Sequence, residues 1–224
     1  MSLSLTILLK FFGPLMSAIC HIDDSQLARV PGHGPLILII NHVNILEVPV
    51  LYTRIQPRSI TGFFAGYHLE SPLMRWLLLT LNGIPVQRGT PDRAALREGI
   101  SRIRSGSIFA IAPEGTRSKD GRLGPGKQGV VTLAQKTGAP ILPIVHWGSE
   151  HWQDNVVRLR RTPFNIAVGR PFRLDTGGKR VNRHMRQEIL DEIMAQMAAL
   201  LPQEYRGVYA DQGSTQSQYL RFTE

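Results

Sequence analysis

The sequence predicts an α/β fold in which a mixed β-sheet is flanked by helices. Two observations support this prediction. Between residues 36 and 168, short and strongly apolar runs alternate with amphipathic segments, which is the pattern of strands separated by helices. The chain has 224 residues, of which 42% are hydrophobic, and it shows no repeat or linker that would divide it. This length is enough for one well-packed domain.

Turn and cap residues set the limits of the predicted elements in the first half of the chain. The run over 36–40 is apolar throughout, as expected of a strand buried on both faces of a sheet. Ser71 and Pro72 are typical of an N-cap and a first helical residue. The elements predicted in order are strand 36–40, helix 47–56, strand 59–65, helix 72–81 and strand 84–87.

The second half continues this alternation. Thr90 is the predicted N-cap of one helix, and Gly138 with Pro140 ends another. A long C-terminal helix has apolar residues at three- to four-residue spacing, and we expect this face in the core. The elements predicted in order are helix 91–105, strand 107–112, helix 127–136, strand 141–145, strand 164–168 and helix 182–200.

The chain divides into three predicted parts: a membrane-associating segment over 1–25, a domain over 26–210 and a flexible tail over 211–224. The apolar stretches near the N-terminus are shorter than the ~20 residues that a membrane-spanning helix needs. A secretory signal has basic residues before its apolar run, and this sequence has none there. We therefore predict a membrane-interfacial helix, with packing on the domain's own core as the alternative. The tail is rich in Gln, Ser and Thr, and we expect it to fray.

The charge balance favours an anionic partner. The formal net charge is +9, and the excess is mostly arginine, spread along the chain. Such a surface suits an anionic bilayer, a nucleic acid or a phosphorylated substrate, and charge alone does not choose among them. The single cysteine, Cys20, excludes an internal disulfide. No spacing of histidine or cysteine residues matches a metal motif, so we expect no metal site.

A histidine and an acid follow the first predicted strand of the domain. His42 comes just after the strand over 36–40, and Glu47 lies five positions further on. In α/β sheets, ligands gather at the carboxyl ends of strands. A carboxylate that orients one ring nitrogen leaves the other as a base for an alcohol. The alternative is a histidine that only satisfies a loop carbonyl.

The segment 113–118, Pro-Glu-Gly-Thr-Arg-Ser, is more specific. Gly115 permits an unusual backbone conformation, Thr116 offers a hydroxyl, and Arg117 can bind phosphate through two nitrogens. The alternative is a polar turn in which Glu114 and Arg117 pair with each other. Together with His42, this segment predicts an enzyme that acylates a hydroxyl on a phosphate-bearing substrate.

Two further cations are candidate phosphate ligands. Arg88 follows the strand over 84–87 and is either a phosphate contact or an ordinary solvated arginine. Lys127 is predicted to lie at a helix N-terminus, where anions are favoured. The segment 121–127 has the spacing G-x4-G-K, but Gln128 stands where Ser or Thr would hold magnesium. We therefore reject a nucleoside triphosphate site.

Four segments, in order along the chain, resemble the motifs of the lysophosphatidic acid acyltransferase family, also called PlsC-like acyltransferases. The segment 113–118 reproduces the third motif, PEGTRS. Asn41-His42-x4-Glu47 resembles the first motif, NHxxxxD, 83–88 resembles the second, and 141–144 resembles the fourth, an apolar-Pro-apolar strand. The resemblance covers about residues 30–170. It departs from the family at Glu47, where the motif has aspartate.

The resemblance implies a glycerolphosphate-acyltransferase-like fold and a mechanism. His42, with Glu47, would deprotonate the free hydroxyl of 1-acyl-sn-glycerol 3-phosphate, and the alkoxide would attack the thioester of acyl-CoA or acyl carrier protein. Phosphatidic acid would form, with the acceptor's phosphate held by Arg117, Arg88 and Lys127, and with Glu114 supporting the site. No cofactor beyond the acyl donor is implied. The expected location is an anionic membrane surface on the cytoplasmic face, peripheral or monotopic, with no nucleic-acid partner.

Two alternatives remain open at this point. One is an acyltransferase for another lysophospholipid or for an amino-acid-containing lysolipid, because the shape of the acceptor pocket is not encoded in these motifs. The other is a non-catalytic basic α/β protein that binds membranes or nucleic acid, in which His42 and Glu47 are structural. That protein would bind anionic liposomes or nucleic acid in a salt-sensitive way and would release no thiol from acyl-CoA.

Overall fold

The computed structural model describes residues 3–87, 92–211 and 217–223. Within these residues the fold is a mixed nine-stranded sheet with flanking helices, which confirms the predicted α/β class. The strands are β1 (Cys20–Asp23), β2 (Leu36–Ile40), β3 (Ile60–Ala65), β4 (Ile84–Val86), β5 (Ile108–Ile111), β6 (Ile141–Trp147), β7 (Thr162–Val168), β8 (Phe172–Leu174) and β9 (Leu220–Phe222). The helices are α1 (Leu3–Ile19), α2 (Glu47–Arg54), α3 (Pro72–Thr80), α4 (Arg93–Arg104), α5 (Gly129–Thr137), α6 (Trp152–Val157) and α7 (Arg183–Leu200).

Strand order places the candidate segments beside each other. The strands lie in the order β1-β7-β6-β2-β5-β3-β4. β2 is parallel to both of its neighbours, β5 and β6. Because parallel strands end at the same edge of a sheet, the segments that follow β2, β5 and β6 meet there. β7 runs antiparallel to β6, so this site edge is built by the parallel part of the sheet.

The central strand divides the core into two layers. All five residues of β2 are buried, and successive side chains point to opposite faces of the sheet. Ile37 and Ile39 belong to a cluster with residues of α4, α5 and α7. Leu36, Leu38 and Ile40 belong to a second cluster, with residues of α1 and α2. The continuous apolar run over 36–40 therefore marks a strand that is covered on both faces.

Several element limits differ from those predicted. α4 begins at Arg93, because the Asp92 carboxylate caps it by accepting from the Ala95 amide at 2.9 Å; Thr90, the predicted cap, lies outside the described residues. α5 begins at Gly129, two residues later than expected, so Lys127 precedes its N-cap residue, Gln128. The sequence did not predict β1, β8 or α6, because each is short and offers too few residues for a period.

The C-terminal tail also differs from the prediction. It was expected to fray over 211–224, but Leu220–Phe222 forms β9 and pairs with β8. Leu220 is buried in the core. The Glu192 carboxylate on α7 accepts from the Gln218 and Tyr219 amides, at 2.9 and 3.0 Å. The polar composition of the tail concealed the few apolar residues near its end that anchor it.

α1 packs on the domain's own core, which was the alternative considered for it, and it also leaves one row of large apolar side chains exposed. Its Met16 side chain is buried in the cluster that includes Leu36 and Leu38 of β2, so the helix packs on the domain. Four large side chains at four-residue spacing are exposed: Leu3, Ile7, Phe11 and Leu15. None of the helices in the described ranges has both the length and the apolar character needed to cross a bilayer.

Candidate active site

His42 and Glu47 are in contact, in the loop that joins β2 to α2. His42 Nδ1 is hydrogen-bonded to Glu47 Oε1. Glu47 is the first residue of α2, and its carboxylate turns back over the loop, where Oε2 accepts from the Val43 amide at 3.1 Å. The Asn44 side chain fixes the same loop, because its Oδ1 accepts from the Leu46 amide at 2.9 Å. Nε2 of His42 is thus the ring nitrogen left to act as a base.

The turn after β5 holds the backbone of His42 on both sides. Glu114 Oε1 accepts from the His42 amide at 2.8 Å, and Glu114 Oε2 accepts from the Gly124 amide at 2.9 Å. The Ser118 amide donates to the His42 carbonyl at 2.7 Å. Glu114 is therefore engaged with His42 rather than with Arg117, which is the opposite of the polar-turn alternative. The two sequence motifs form one unit.

Glu114 is a buried acid whose partners are uncharged amides. Burial raises the pKa of its carboxyl, and the hydrogen bonds from the His42 and Gly124 amides oppose that rise without cancelling it. Its side chain lies beneath the turn, whereas the residues that follow it, Gly115 to Arg117, are exposed. The sequence predicts that Glu114 supports the site, and the structure gives it the role of fixing the histidine loop.

Gly115 allows the turn to accept a lysine from further along the chain. Its φ is +65°, in the left-handed region that side chains disfavour. A Cβ at this position would lie 2.9 Å from Lys127 Nζ, so the lysine ammonium sits directly against the glycine. The Lys127 amide also donates to the Pro113 carbonyl at 2.8 Å. The structure therefore brings Lys127 to the turn, although it does not lie in the first turn of α5.

An open cleft of about 490 Å³ adjoins this turn. Its lining includes four cations and two acids: Arg117, Lys119, Arg122, Lys127, Glu114 and Asp120. Within the described ranges, neither Arg117 nor Lys127 forms an ion pair with a carboxylate. Both are therefore free to bind an anion. His42 does not line this cleft, but it is bonded to Glu114 and Ser118, which do.

The structure describes the position of Thr116 but not that of Arg88. Thr116 lines the cleft beside Arg117, so its hydroxyl stays a candidate donor to the same anion. Arg88 lies outside the described residues, and its role as a second phosphate ligand stays a prediction.

His146 is a site residue that the sequence did not indicate. It lies in β6, is fully buried, and its Nε2 is 3.0 Å from Glu47 Oε2. Burial by itself would raise the Glu47 pKa, but hydrogen bonds from His146 and His42 outweigh it, so the pKa is lowered and Glu47 is held as the anion. The only available signal was a histidine near the end of an apolar strand that is adjacent to β2. Among the described residues, no group of three or more His, Cys, Asp or Glu is arranged to hold a metal ion.

Several known proteins are similar to this chain. A family model described as Acyltransferase matches residues 21–147. A chloroplastic 1-acyl-sn-glycerol-3-phosphate acyltransferase of Brassica napus is 34% identical over 133 residues, which cover 57% of this chain and 37% of the relative. A 1-acyl-sn-glycerol-3-phosphate acyltransferase of Pseudomonas aeruginosa is 26% identical over 178 residues, covering 73% of this chain and 69% of the relative. The chain thus spans little more than a third of the length of the plant relative.

A solved structure has the same fold. The crystal structure of the 1-acyl-sn-glycerophosphate acyltransferase PlsC from Thermotoga maritima superposes with a TM-score of 0.61 at 23% identity, over 88% of this chain and 78% of that chain. The matched family segment runs from β1 to the end of β6 and so contains His42, Glu47, Glu114 and His146. Since that segment is more than half of the sequence, the chain belongs to the acyltransferase family.

Proposed function

We propose that the protein transfers a fatty acyl group from acyl-CoA or acyl carrier protein to the free hydroxyl of 1-acyl-sn-glycerol 3-phosphate, which gives phosphatidic acid. The observation that carries this proposal is the bonding of the His42 backbone to Glu114 and Ser118, at both ends of the cationic turn. A base for the hydroxyl and cations for the phosphate thereby belong to one connected unit. The relatives from Brassica napus and Pseudomonas aeruginosa are named for this activity.

The chemistry follows from the contact between His42 and Glu47. His42 Nε2 takes the proton from the acceptor hydroxyl, while the Glu47 anion at Nδ1 stabilises the imidazolium that forms. The acceptor oxygen bonds to the thioester carbonyl carbon, and the carbon–sulfur bond then breaks. The imidazolium returns its proton to the departing thiolate. The ester and the free thiol are the only products, so no acyl-enzyme is required.

The acceptor phosphate is proposed to bind at the turn after β5. Arg117 and Lys127 line its cleft together with Thr116, and neither cation is ion-paired with a carboxylate in the part of the chain that the structure describes. Charge-assisted hydrogen bonds from these groups suit a phosphate, and Arg117 can make two of them in parallel. Arg88 is proposed as a further ligand, on the sequence motif alone.

The acyl chains are proposed to reach the site from an anionic membrane surface on the cytoplasmic face, where the protein would be peripheral or monotopic. Support comes from two helices with exposed apolar side chains. Those on α1 are Leu3, Ile7, Phe11 and Leu15, and those on α3 are Leu73, Trp76 and Leu79. The helices are neighbours, since Leu5 of α1 and Leu79 of α3 line one cavity. An apolar face together with a net charge of +9 favours binding to anionic lipid.

A thiol-release assay tests the proposed reaction. The full chain is incubated with long-chain acyl-CoA or acyl carrier protein and with a panel of lysophospholipids, and the lipid product is identified by mass spectrometry. We expect thiol release that depends on 1-acyl-sn-glycerol 3-phosphate, with formation of phosphatidic acid. The His42→Ala variant should be inactive in the same assay.

The other outcomes separate the alternatives. Turnover with a different lysophospholipid, or with an amino-acid-containing lysolipid, would replace the proposed acceptor and keep the mechanism. No thiol release with any acceptor, combined with salt-sensitive binding to anionic liposomes, would favour the non-catalytic alternative.

A further inference from the structure

The carboxylate of Glu47 lies between two imidazoles. Oε1 is hydrogen-bonded to His42 Nδ1, and Oε2 is 3.0 Å from His146 Nε2. Oε2 also accepts from the Val43 amide at 3.1 Å. A glutamate side chain has three torsions and can adopt many conformations in solution. Here both of its oxygens are occupied, and only one of the two histidines is accessible.

Both the ring and the backbone of His146 have defined partners. Its ring stacks on Phe164, with the centroids 4.7 Å apart and the planes 3° from parallel. Its backbone is paired with the Asn41 side chain, because the His146 amide donates to Asn41 Oδ1 and Asn41 Nδ2 donates to the His146 carbonyl, both at 2.8 Å. Asn41 directly precedes the histidine that contacts Glu47. The position of His146 is therefore fixed relative to the loop that carries His42.

The hydrogen-bond pattern assigns the proton of His146 to Nε2. The Glu47 anion can only accept, so the ring nitrogen that faces it must donate. On the other side, Ser149 Oγ lies 3.5 Å from His146 Nδ1 and already accepts from Asn44 Nδ2 at 2.9 Å. The hydroxyl therefore has its own proton to offer to Nδ1. This chain of bonds runs from Asn44 through Ser149 and His146 to Glu47.

We propose that His146 is a positioning residue for the acyl transfer. By donating from Nε2 to Glu47 Oε2, it holds Oε1 against Nδ1 of His42 and so keeps Nε2 of His42 aimed at the acceptor hydroxyl. His146 itself is fully buried and touches no substrate. The inference rests on the proposed function, in which His42 is the base. It also accounts for a glutamate at position 47, because a longer side chain needs a second partner to fix its carboxylate.

Removal of His146 should reduce turnover while leaving acceptor binding in place. Hydrogen-bond partners that orient metal-ligating histidines are worth about tenfold to a hundredfold in activity. By analogy, we expect a fall of this size in kcat for His146→Phe, with KM nearly unchanged. His146→Gln keeps a side-chain N–H donor and should recover part of the rate. Val145→Ala is the matched control, because Val145 is fully buried on the same strand. It belongs to the core cluster of Ile37 and Ile39, whereas His146 stacks on Phe164 in the second cluster.

The pH profile supplies a readout that a purely structural role would not move. Glu47 faces His42 and His146, and it also interacts electrostatically with Glu114. Removing a donor that stabilises the Glu47 anion makes the His42–Glu47 pair bind a proton more tightly. The acid limb of kcat/KM should therefore move to higher pH in His146→Phe. In the Val145→Ala control it should stay in place.

A double-mutant cycle decides whether His146 acts through Glu47, even if His146→Phe fails to fold. In the Glu47→Gln background, the further change His146→Gln should lower kcat much less than it does in the unmodified chain. Equal effects in both backgrounds would overturn the proposal. So would a folded His146→Phe variant with unchanged kcat and pH profile.

Imidazole NMR tests the same contact without any substrate. Long-range ¹H–¹⁵N spectra should show His146 as the Nε2–H tautomer, with a resonance that shifts in Glu47→Gln. An Nδ1–H tautomer would overturn the proposal. Failure of the proposed function looks different, because transfer by His42→Ala at the normal rate would remove His42 as the base while leaving the NMR result intact.

Discussion

The loop after β2 and the turn after β5 meet at His42, yet they are built in opposite ways. In the loop, Asn41, Asn44 and Glu47 are buried, and each has hydrogen-bond partners within the protein. In the turn, Arg117 and Lys127 are exposed and have no carboxylate partner within the described ranges. Proton transfer requires a base whose position is fixed. Anion binding requires exposed cations that can pair with the ligand itself. We therefore expect changes in the loop to affect rate and changes in the turn to affect binding.

The largest expected effect tests the loop. His42→Ala removes the only base proposed for the acceptor hydroxyl, and general-base catalysis contributes about 10²–10⁴-fold, so thiol release should fall by at least that factor. KM for the acceptor should change little, since the turn is intact. His184→Ala is the control, because the side chain of that histidine is 83% exposed on α7 and lies 3.3 Å from Glu188 on the same helix. Normal turnover by His42→Ala would contradict the expectation that the loop after β2 determines the rate.

The next effect tests the turn. A hydrogen bond to a charged group contributes about 1.5–3 kcal/mol, so Arg117→Ala should raise KM for a phosphate-bearing acceptor by about tenfold to a hundredfold and lower kcat less. Arg160→Ala is the control, because this exposed arginine lies just before β7, near its pairing with β1. A fall in kcat with unchanged KM would mean that Arg117 acts in the chemical step and that the comparison is drawn wrongly.

A smaller effect tests the proposed membrane surface on α1. Phe11 is 62% exposed on α1, and burying a large apolar side chain is worth about 1.5–3 kcal/mol. Phe11→Ser should therefore weaken co-sedimentation with anionic vesicles by about tenfold, while turnover of a soluble short-chain acceptor stays unchanged. Val157→Ser is the control, since Val157 is 83% exposed on α6. Equal losses in the two variants would remove α1 from the proposed membrane surface.

The smallest effect is a pair of stability slopes with opposite signs. The Glu47 pKa is lowered, because hydrogen bonds from two histidines outweigh burial. The ionised Glu47 carboxylate therefore adds to the free energy of unfolding above the ordinary glutamate pKa, and this stabilisation is lost as pH falls through the lowered pKa. The Glu114 pKa is raised by burial, so wild type loses stability relative to Glu114→Gln as pH rises through that value. Urea unfolding from pH 3.5 to 7 measures the free energy of unfolding of wild type relative to Glu47→Gln and relative to Glu114→Gln. Slopes of the same sign would contradict the assignment.

The sequence was most informative where a signal was local. Five positions separate His42 from Glu47, so their contact could be expected from the loop and helix alone. The segment 113–118 was assigned with His42 to one enzyme site from the chemistry of their residues, and the structure brings the two into contact. His146 could not be found in this way, since its contact with Glu47 spans 99 residues of sequence and depends on β6 lying next to β2. The same limit applies to Glu114, whose partner is a distant backbone amide rather than the nearby Arg117.

Short strands were also missed by the sequence prediction. β8 and β9 have three residues each, and the apolar residues that anchor β9 follow a long polar stretch. A strand of this length has no period of its own, and it is stabilised by the neighbours against which it packs. The predicted tail was wrong at its end for that reason.

The position of β2 between β5 and β6 also has a consequence for the order of folding. β2 is made early in synthesis, but the partners of His42 and Glu47 arrive with residues 114 and 146, and parallel pairing at such separations is slow. The contact of the His42 amide with Glu114 and that of Glu47 with His146 form only after both neighbouring strands have docked. A growing chain therefore completes these contacts only after residue 146 has been made and the sheet has closed around its central strand.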